Sequence, residues 1–249
     1  MNTLVETTHP AWMFMTISLM HPVEYIGLLL LKKMLPDNVK QPILSVDKED
    51  LDEVQSLVKN IDLKKLIVIH PGRGWPSKTF PEAWYDKIIE GLLKAGRHVA
   101  VIGKWMNEDQ GTVKVTIKDG AIDLRNLLTL GGSFALLSKA CVLISNDSSP
   151  IHIAAAFDNH IILIPSCKHP DHVLHVRGCR HVNGSYIPGS RYHKAVALYK
   201  KLTCDTVDST PTMIHDMTTI DKVIGDINDY IPDSEQVIEE AIKRSAEFY

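Results

Sequence analysis

Ile144-Ser-Asn-Asp-Ser-Ser-Pro-Ile-His152 follows the apolar run Ala140-Cys-Val-Leu-Ile144 and precedes Ile153-Ala-Ala-Ala-Phe157. The order predicts a buried strand that ends in a polar turn and opens directly into a helix. Ser149 is placed to act as N-cap, and Pro150 suits the first helical position, where its missing N–H is no loss. The unpaired N–H groups of such a first turn, with the positive end of the helix dipole, attract an anion. Asp147, Ser148, Ser149 and His152 crowd around it. In an α/β protein a diphosphate would lie there, at the carboxyl edge of the sheet. The plainer alternative is a well-capped helix and nothing more.

Outward from this stretch the pattern alternates strand and helix. Leu66-Ile-Val-Ile69 and His98-Val-Ala-Val-Ile102 are β-branched runs, and His160-Ile-Ile-Leu-Ile164 is another, stopped by Pro165. Between the first two, Phe80-Pro81 opens a helix whose Trp84, Tyr85, Ile88, Ile89, Leu92 and Leu93 fall on one 3.6-period face, with Gly96 placed to end it. Val113-Lys-Val-Thr-Ile117 alternates like an edge strand, and Phe134 to Lys139 reads as a short helix. Further helices are expected from Pro150 to Phe157, from near Thr218 or Thr219 with Ile220, Val223, Ile224 and Ile227 inward, and after Asp233-Ser234. Repeated β-α units imply an α/β fold, a Rossmann-like doubly wound parallel sheet with helices on both faces. The first residues differ. They hold two helices, around Glu24–Met34 and Lys48–Lys59, joined through Pro36 and Pro42. We divide the chain into a helical prelude, residues 1–62, and an α/β domain, residues 63–249.

A chain of 249 residues has ample material for a core. Its formal charge of −3 gives no global basic field, so a nucleic-acid partner is not indicated. Four cysteines (Cys141, Cys167, Cys179, Cys204) are too few for a disulfide scaffold, and Cys141 lies in a buried-strand pattern, which points to a reduced, cytoplasmic setting. The apolar stretch Ala11 to Met20 is too short to span a bilayer and lacks a basic leader, so it reads as core-forming, with peripheral membrane contact left open.

The second chemical candidate is His70-Pro-Gly-Arg-Gly-Trp-Pro-Ser-Lys-Thr-Phe-Pro81, between the first strand and its helix. Gly72 and Gly74 allow close backbone approach, and Arg73 and Lys78 supply cations on the same sheet edge as the Asp147 turn. It is not a P-loop, and Ser77 spoils the dinucleotide fingerprint, so nicotinamide chemistry has little support. Two metal readings are weaker. Asp50-Leu-Asp52 is formally D-x-D, but Leu51, Val54, Leu57 and Val58 repeat as a helix face that leaves these acids at its surface. Cys167, His169, His172, His175, Cys179 and His181 are zinc-ligand types whose spacing matches no common finger or ribbon.

In order, "HPGRGWPSKTFPEAW", "VAVIGK", "DLRNLLTLGGSFALLSKACVLISNDSSPIHIAAAF" and "IILIPSCKHPD" resemble the carboxyl-terminal half of glycosyltransferase family 9, the ADP-heptose:lipopolysaccharide heptosyltransferases of GT-B architecture, over roughly residues 41–232. The resemblance implies a donor-binding half with a short helical amino-terminal remnant. It implies that Arg73, Gly74, Lys78, Asp147, Ser148, Ser149 and His152 meet the donor diphosphate. Leu128 matches a residue lining the nucleobase pocket, and Glu108 an acidic residue near the nucleoside. Ser149 stands where the family usually has Gly. The family's acceptor-binding domain, source of its carboxylate base, has no counterpart in the sequence beyond residues 1–40, so a partner chain could supply it and no catalytic base is named. His21 and Glu24 read as ordinary helix-start residues.

The implied activity is inverting, metal-independent transfer of a sugar, heptose being one candidate, from an ADP-, UDP- or GDP-linked donor to a glycan or lipopolysaccharide-type acceptor, with no cofactor. The alternative is a nucleotide or nucleotide-sugar binding module without catalysis.

Overall fold

The structure is a computed structural model. It describes residues 30–31, 44–59, 61–73, 78–104, 111–165, 170–174, 194–201 and 226–249. The expected helix near Thr218, the Cys/His-rich segment 167–181 apart from its first helical turn, and the stretch Ala11–Met20 lie outside the described residues. Of the Glu24–Met34 helix only Leu30 and Leu31 are described, and both are helical. Among the described residues no helix is long and apolar enough to cross a membrane.

In chain order the elements are α1 (Lys48–Val58), β1 (Leu66–His70), β2 (Gly72–Arg73), α2 (Glu82–Lys94), β3 (His98–Val101), β4 (Gly111–Thr112), β5 (Ala121–Asp123), α3 (Leu130–Lys139), β6 (Val142–Asn146), α4 (Ser149–Ala156), β7 (His160–Ile164), α5 (Pro170–Val173), β8 (Ala195–Ala197) and α6 (Ser234–Ser245). Six strands form one sheet in the order β5-β3-β1-β6-β7-β8, and every pairing in it is parallel. A parallel sheet must be buried on both sides, because its crossovers lay helices there. Accordingly Leu66, Val68, Leu143 and Leu163 face Leu136, Ile151 and Val54, from α3, α4 and α1. Their neighbours Ile67, Ile69, Ile144 and Ile162 face Tyr85, Ile88, Ile89 and Leu92 of α2 and Val237 of α6. The α/β, Rossmann-like expectation holds, and the strand runs read from β-branched residues fall on β1, β3, β6 and β7.

Helix α2 ends as the sequence suggests. Gly96 takes φ +71°, its N–H meets the Leu93 carbonyl at 2.9 Å, and the Arg97 N–H reaches Leu92 at 3.0 Å. This paired closure satisfies carbonyls that the helix would leave orphaned.

Three boundaries differ from expectation. Val113 to Ile117 forms no strand: Val113 and Val115 are buried, but the Val115 N–H turns back to the Val113 carbonyl at 2.9 Å and the Thr116 N–H goes to the Asp86 carboxylate at 2.9 Å. The sheet edge is β5 instead, paired with β3. Helix α3 starts at Leu130, ahead of Phe134, capped by Thr129, whose hydroxyl accepts from the Gly132 N–H at 2.9 Å. The glycines that disguise this turn are packing devices: a Cβ on Gly131 would lie 2.2 Å from an Asp50 carboxylate oxygen, and one on Gly132 would lie 2.7 Å from Glu53. Helix α1 therefore lies hard against α3, with Val54 and Val58 in the core and Asp52 at the surface, paired with Lys48. Finally, α4 begins at Ser149 with Ser148 as N-cap, one residue earlier than the sequence suggests.

Candidate functional site

Strand order reverses between β1 and β6: β3 and β5 lie beyond β1, while β7 and β8 lie beyond β6. The crossovers leave this pair in opposite directions, so a crevice opens past their carboxyl ends, where α/β proteins bind ligands. The segment after β1 and the turn after β6 both enter it. Parallel register sets His70 beside Ser145 on one face of the sheet. Because side chains alternate along a strand, Asn146 turns to the other face, beneath the chain leading into α2.

Lys78 and Asp147 meet at this rim. The Lys78 ammonium lies 2.5 Å from the Asp147 carboxylate and 3.2 Å from the Asp147 carbonyl oxygen, with the two side chains 14% and 13% exposed. Asn146, fully buried, donates its amide nitrogen to the Gly72 carbonyl and to the Lys78 carbonyl, each at 2.8 Å. Its Oδ1 finds no hydrogen-bond partner among the described residues.

On the opposite face His70 Nδ1 lies 3.2 Å from the Ser145 hydroxyl and 3.1 Å from that of Ser148, and the two hydroxyls are 3.0 Å apart. The imidazole occupies a slot between glycines. A Cβ on Gly72 would lie 2.8 Å from His70 Cε1, and one on Gly103 would lie 3.2 Å from Cδ2. Enclosure by protein pushes the His70 pKa down to about 4, so the ring is neutral at pH 7.

Ser148 spends its hydroxyl on this cluster and on the Asn146 carbonyl at 3.2 Å, so among the described residues no side chain caps α4. The donors of that turn are fewer than the sequence suggests. Pro150 has no N–H, and the Ile151 N–H goes to the Ser148 carbonyl at 3.1 Å. Attraction for an anion then rests on the helix dipole, the Ser149 amide and the nearby ammonium. Ser149 is exposed and has no positive φ, so a residue other than glycine fits there without strain. His152 presents an exposed edge from the same turn. Its pKa is lowered by the protein around it, against the opposing pull of Asp147.

The other expected residues are more dispersed. Arg73 lies on β2, a two-residue strand antiparallel to β4 in which it faces Gly111. Leu128 follows β5 on the same sheet edge and packs partly against the core. Two strand spacings separate β5 from β1, roughly 10 Å, which a nucleoside can bridge. Gly74 and Glu108 lie outside the described residues. His70, Ser145 and Asn146 were missed as site residues. A histidine or asparagine at the last position of a predicted strand, beside a loop with spaced glycines, is the signal that could have found them.

A family model described as glycosyltransferase family 9 (heptosyltransferase) matches residues 20–171. The chain belongs to glycosyltransferase family 9. The match takes in both rim segments; it begins and ends earlier than the expected span of roughly residues 41–232, and it closes with the last quoted motif at Asp171. A lipopolysaccharide heptosyltransferase 1 from Campylobacter coli is 29% identical over 156 residues, covering 57% of this chain and 45% of its own length. A lipooligosaccharide heptosyltransferase 2 from Haemophilus influenzae is 25% identical over 154 residues, 56% of this chain and 44% of its own length. The chain thus spans less than half the length of these curated relatives. The crystal structure of a glycosyltransferase family 9 protein from Veillonella parvula superposes with a TM-score of 0.60 at 19% identity, covering 90% of this chain and 59% of that one. It supports the fold.

Proposed function

We propose that this family 9 chain binds a nucleotide-sugar donor with its diphosphate at the β1/β6 rim, and that it serves transfer of the sugar, heptose by its relatives' names, to a lipopolysaccharide-type acceptor. The carrying observation is the meeting of Lys78, from the β1 side, with Asp147 and the uncapped start of α4, from the β6 side. In transfer the acceptor hydroxyl oxygen bonds to the anomeric carbon as the bond from that carbon to the diphosphate breaks. The electron pair leaves with the nucleoside diphosphate, and the acceptor proton passes to a base. A single displacement of this kind inverts the anomeric centre. The growing negative charge is met by Lys78, Arg73 and the α4 dipole, cationic groups of the protein's own that make the step metal-independent in this reading. Leu128 and Glu108 are assigned to the nucleoside side, and Gly74, Ser148, Ser149 and His152 to the diphosphate. A donor-binding domain over residues 63–249 belongs to the same proposal, as does a cytoplasmic setting, which the buried free thiol of Cys141 supports.

Calorimetric titration of the purified chain with ADP, UDP and GDP tests the reading, beside assays of donor hydrolysis and sugar transfer. Saturable binding of one of these, weakened in Lys78→Ala and Asp147→Ala without loss of cooperative unfolding, supports it. Absence of binding to all three defeats it. Binding with no turnover when acceptor is present would favour a binding module instead.

A further inference from the structure

Asn146 is too deeply buried to touch a ligand, yet its amide ties two backbone carbonyls of the rim together. We propose that Asn146 is a positioning residue, which fixes the backbone at Gly72 and Lys78 and so determines where the Lys78 ammonium stands against Asp147 and α4. The proposal rests on the donor-binding reading above.

Three observations carry it. Both amide hydrogens are used, each on a carbonyl of the segment that follows β1. Consecutive residues of one strand end then hold Lys78 twice: Asn146 takes its carbonyl at 2.8 Å, and Asp147 takes its ammonium at 2.5 Å. A lysine side chain is long and loses much rotamer freedom when fixed, so a grip at both ends places its charge far better than either alone. Second, the amide orientation follows from its two acceptors, which leaves Oδ1 buried and without a partner among the described residues. Packing alone would be served by an apolar residue of similar size; that oxygen accompanies the two donors. Third, Gly72 is shaped to the same amide. A Cβ there would lie 2.4 Å from Asn146 Oδ1, although Gly72 has no positive φ that would itself require glycine.

The test is a double-mutant cycle on ADP affinity, with UDP or GDP used instead if either binds the parent chain better, and thermal unfolding recorded for each protein. Asn146→Ala is expected to weaken binding roughly tenfold or more, as a misplaced charge does. In the Lys78→Ala background the same change should cost less than about twofold, because the charge it positions is gone. A merely structural role would show as equal penalties in both backgrounds, and that result overturns the proposal, as does parental affinity in Asn146→Ala. If Asn146→Ala does not fold, Asn146→Leu, which removes both donors at similar volume, is read by the same criterion. Parental affinity in Lys78→Ala would instead bring down the donor reading and this proposal with it. A weakened Lys78→Ala beside an unaffected Asn146→Ala brings down the proposal alone.

Discussion

Helices α3 and α4 both begin on the same edge of the sheet with a hydroxyl residue at the N-cap, and they use it in opposite ways. Thr129 caps α3 with its own hydroxyl and is itself held by Glu53 of α1, whose carboxylate accepts from the Thr129 N–H at 2.9 Å and from its hydroxyl at 2.6 Å. Ser148 turns its hydroxyl away from α4 toward His70 and Ser145. One start is closed with a protein carboxylate; the other is left with its dipole end unanswered beside a lysine. An N-cap residue type does not by itself say whether a helix start is sealed. Where the hydroxyl is drawn decides that, and here a histidine on the neighbouring strand draws it.

Acid should separate the two starts. His70 has its pKa lowered to about 4, so its neutral form belongs to the folded state, and the stability this contributes is complete above its ordinary 6.5 and lost as pH falls toward 4. The loss is on the order of 3 kcal/mol if the ring stays enclosed. Glu53 has its pKa lowered by the Thr129 hydroxyl and then by the Thr129 amide, so its contribution persists above its ordinary 4.5 and fades below it. Denaturant unfolding between pH 7 and 4 should therefore weaken the α4 side first. His70→Gln should flatten that limb in part, since the lowered pKa values of His152 and His160 act in the same direction. A curve unchanged by the substitution would mean that the His70 ring titrates alike in the folded and unfolded chain, and its enclosure would then carry no stability.

Nucleotide binding should separate them next. Lys78→Ala is expected to weaken ADP, UDP or GDP binding roughly 10- to 100-fold, the range for one charge-assisted hydrogen bond. Glu53→Ala should leave affinity alone and lower stability by about 1 kcal/mol, the usual worth of an N-cap contact. Calorimetry and thermal unfolding of the same two proteins check both statements. Equal loss of affinity in Glu53→Ala would remove the distinction between a sealed start and an open one.

The elements best legible in the sequence are those whose neighbours are generic. Strands β1, β6 and β7 are continuous apolar runs because any apolar helix covers them, and α2 shows its period because it lies on a flat sheet. The start of α3 was hidden because Gly131 and Gly132 read as helix breakers, while their real constraint is the carboxylates of α1 pressing on them. Strand β5 was missed because the more regular alternation of Val113 to Ile117 reports burial, not pairing. At the rim Lys78 and Asp147 stood out as charged residues in glycine- and serine-rich turns. His70 and Asn146 did not, because their meaning depends on the register of β1 against β6, which no local window contains.

The smallest expected effect is also the most diagnostic. Ser149 opens α4 with an exposed side chain on ordinary helical backbone. An aspartate there faces the positive end of the helix dipole, and Ser149→Asp should raise stability by about 0.3–1 kcal/mol. If a diphosphate uses that dipole, the same carboxylate must repel it, so affinity should fall while stability rises. Ser149→Gly should bind at least as well as the parent, and tighter binding would show that the serine narrows the site. A single substitution that moves stability and affinity in opposite directions is hard to obtain from general disruption, which lowers both. If Ser149→Asp leaves nucleotide affinity untouched, the diphosphate does not lie at the start of α4, and the contrast between the two helices is one of capping alone.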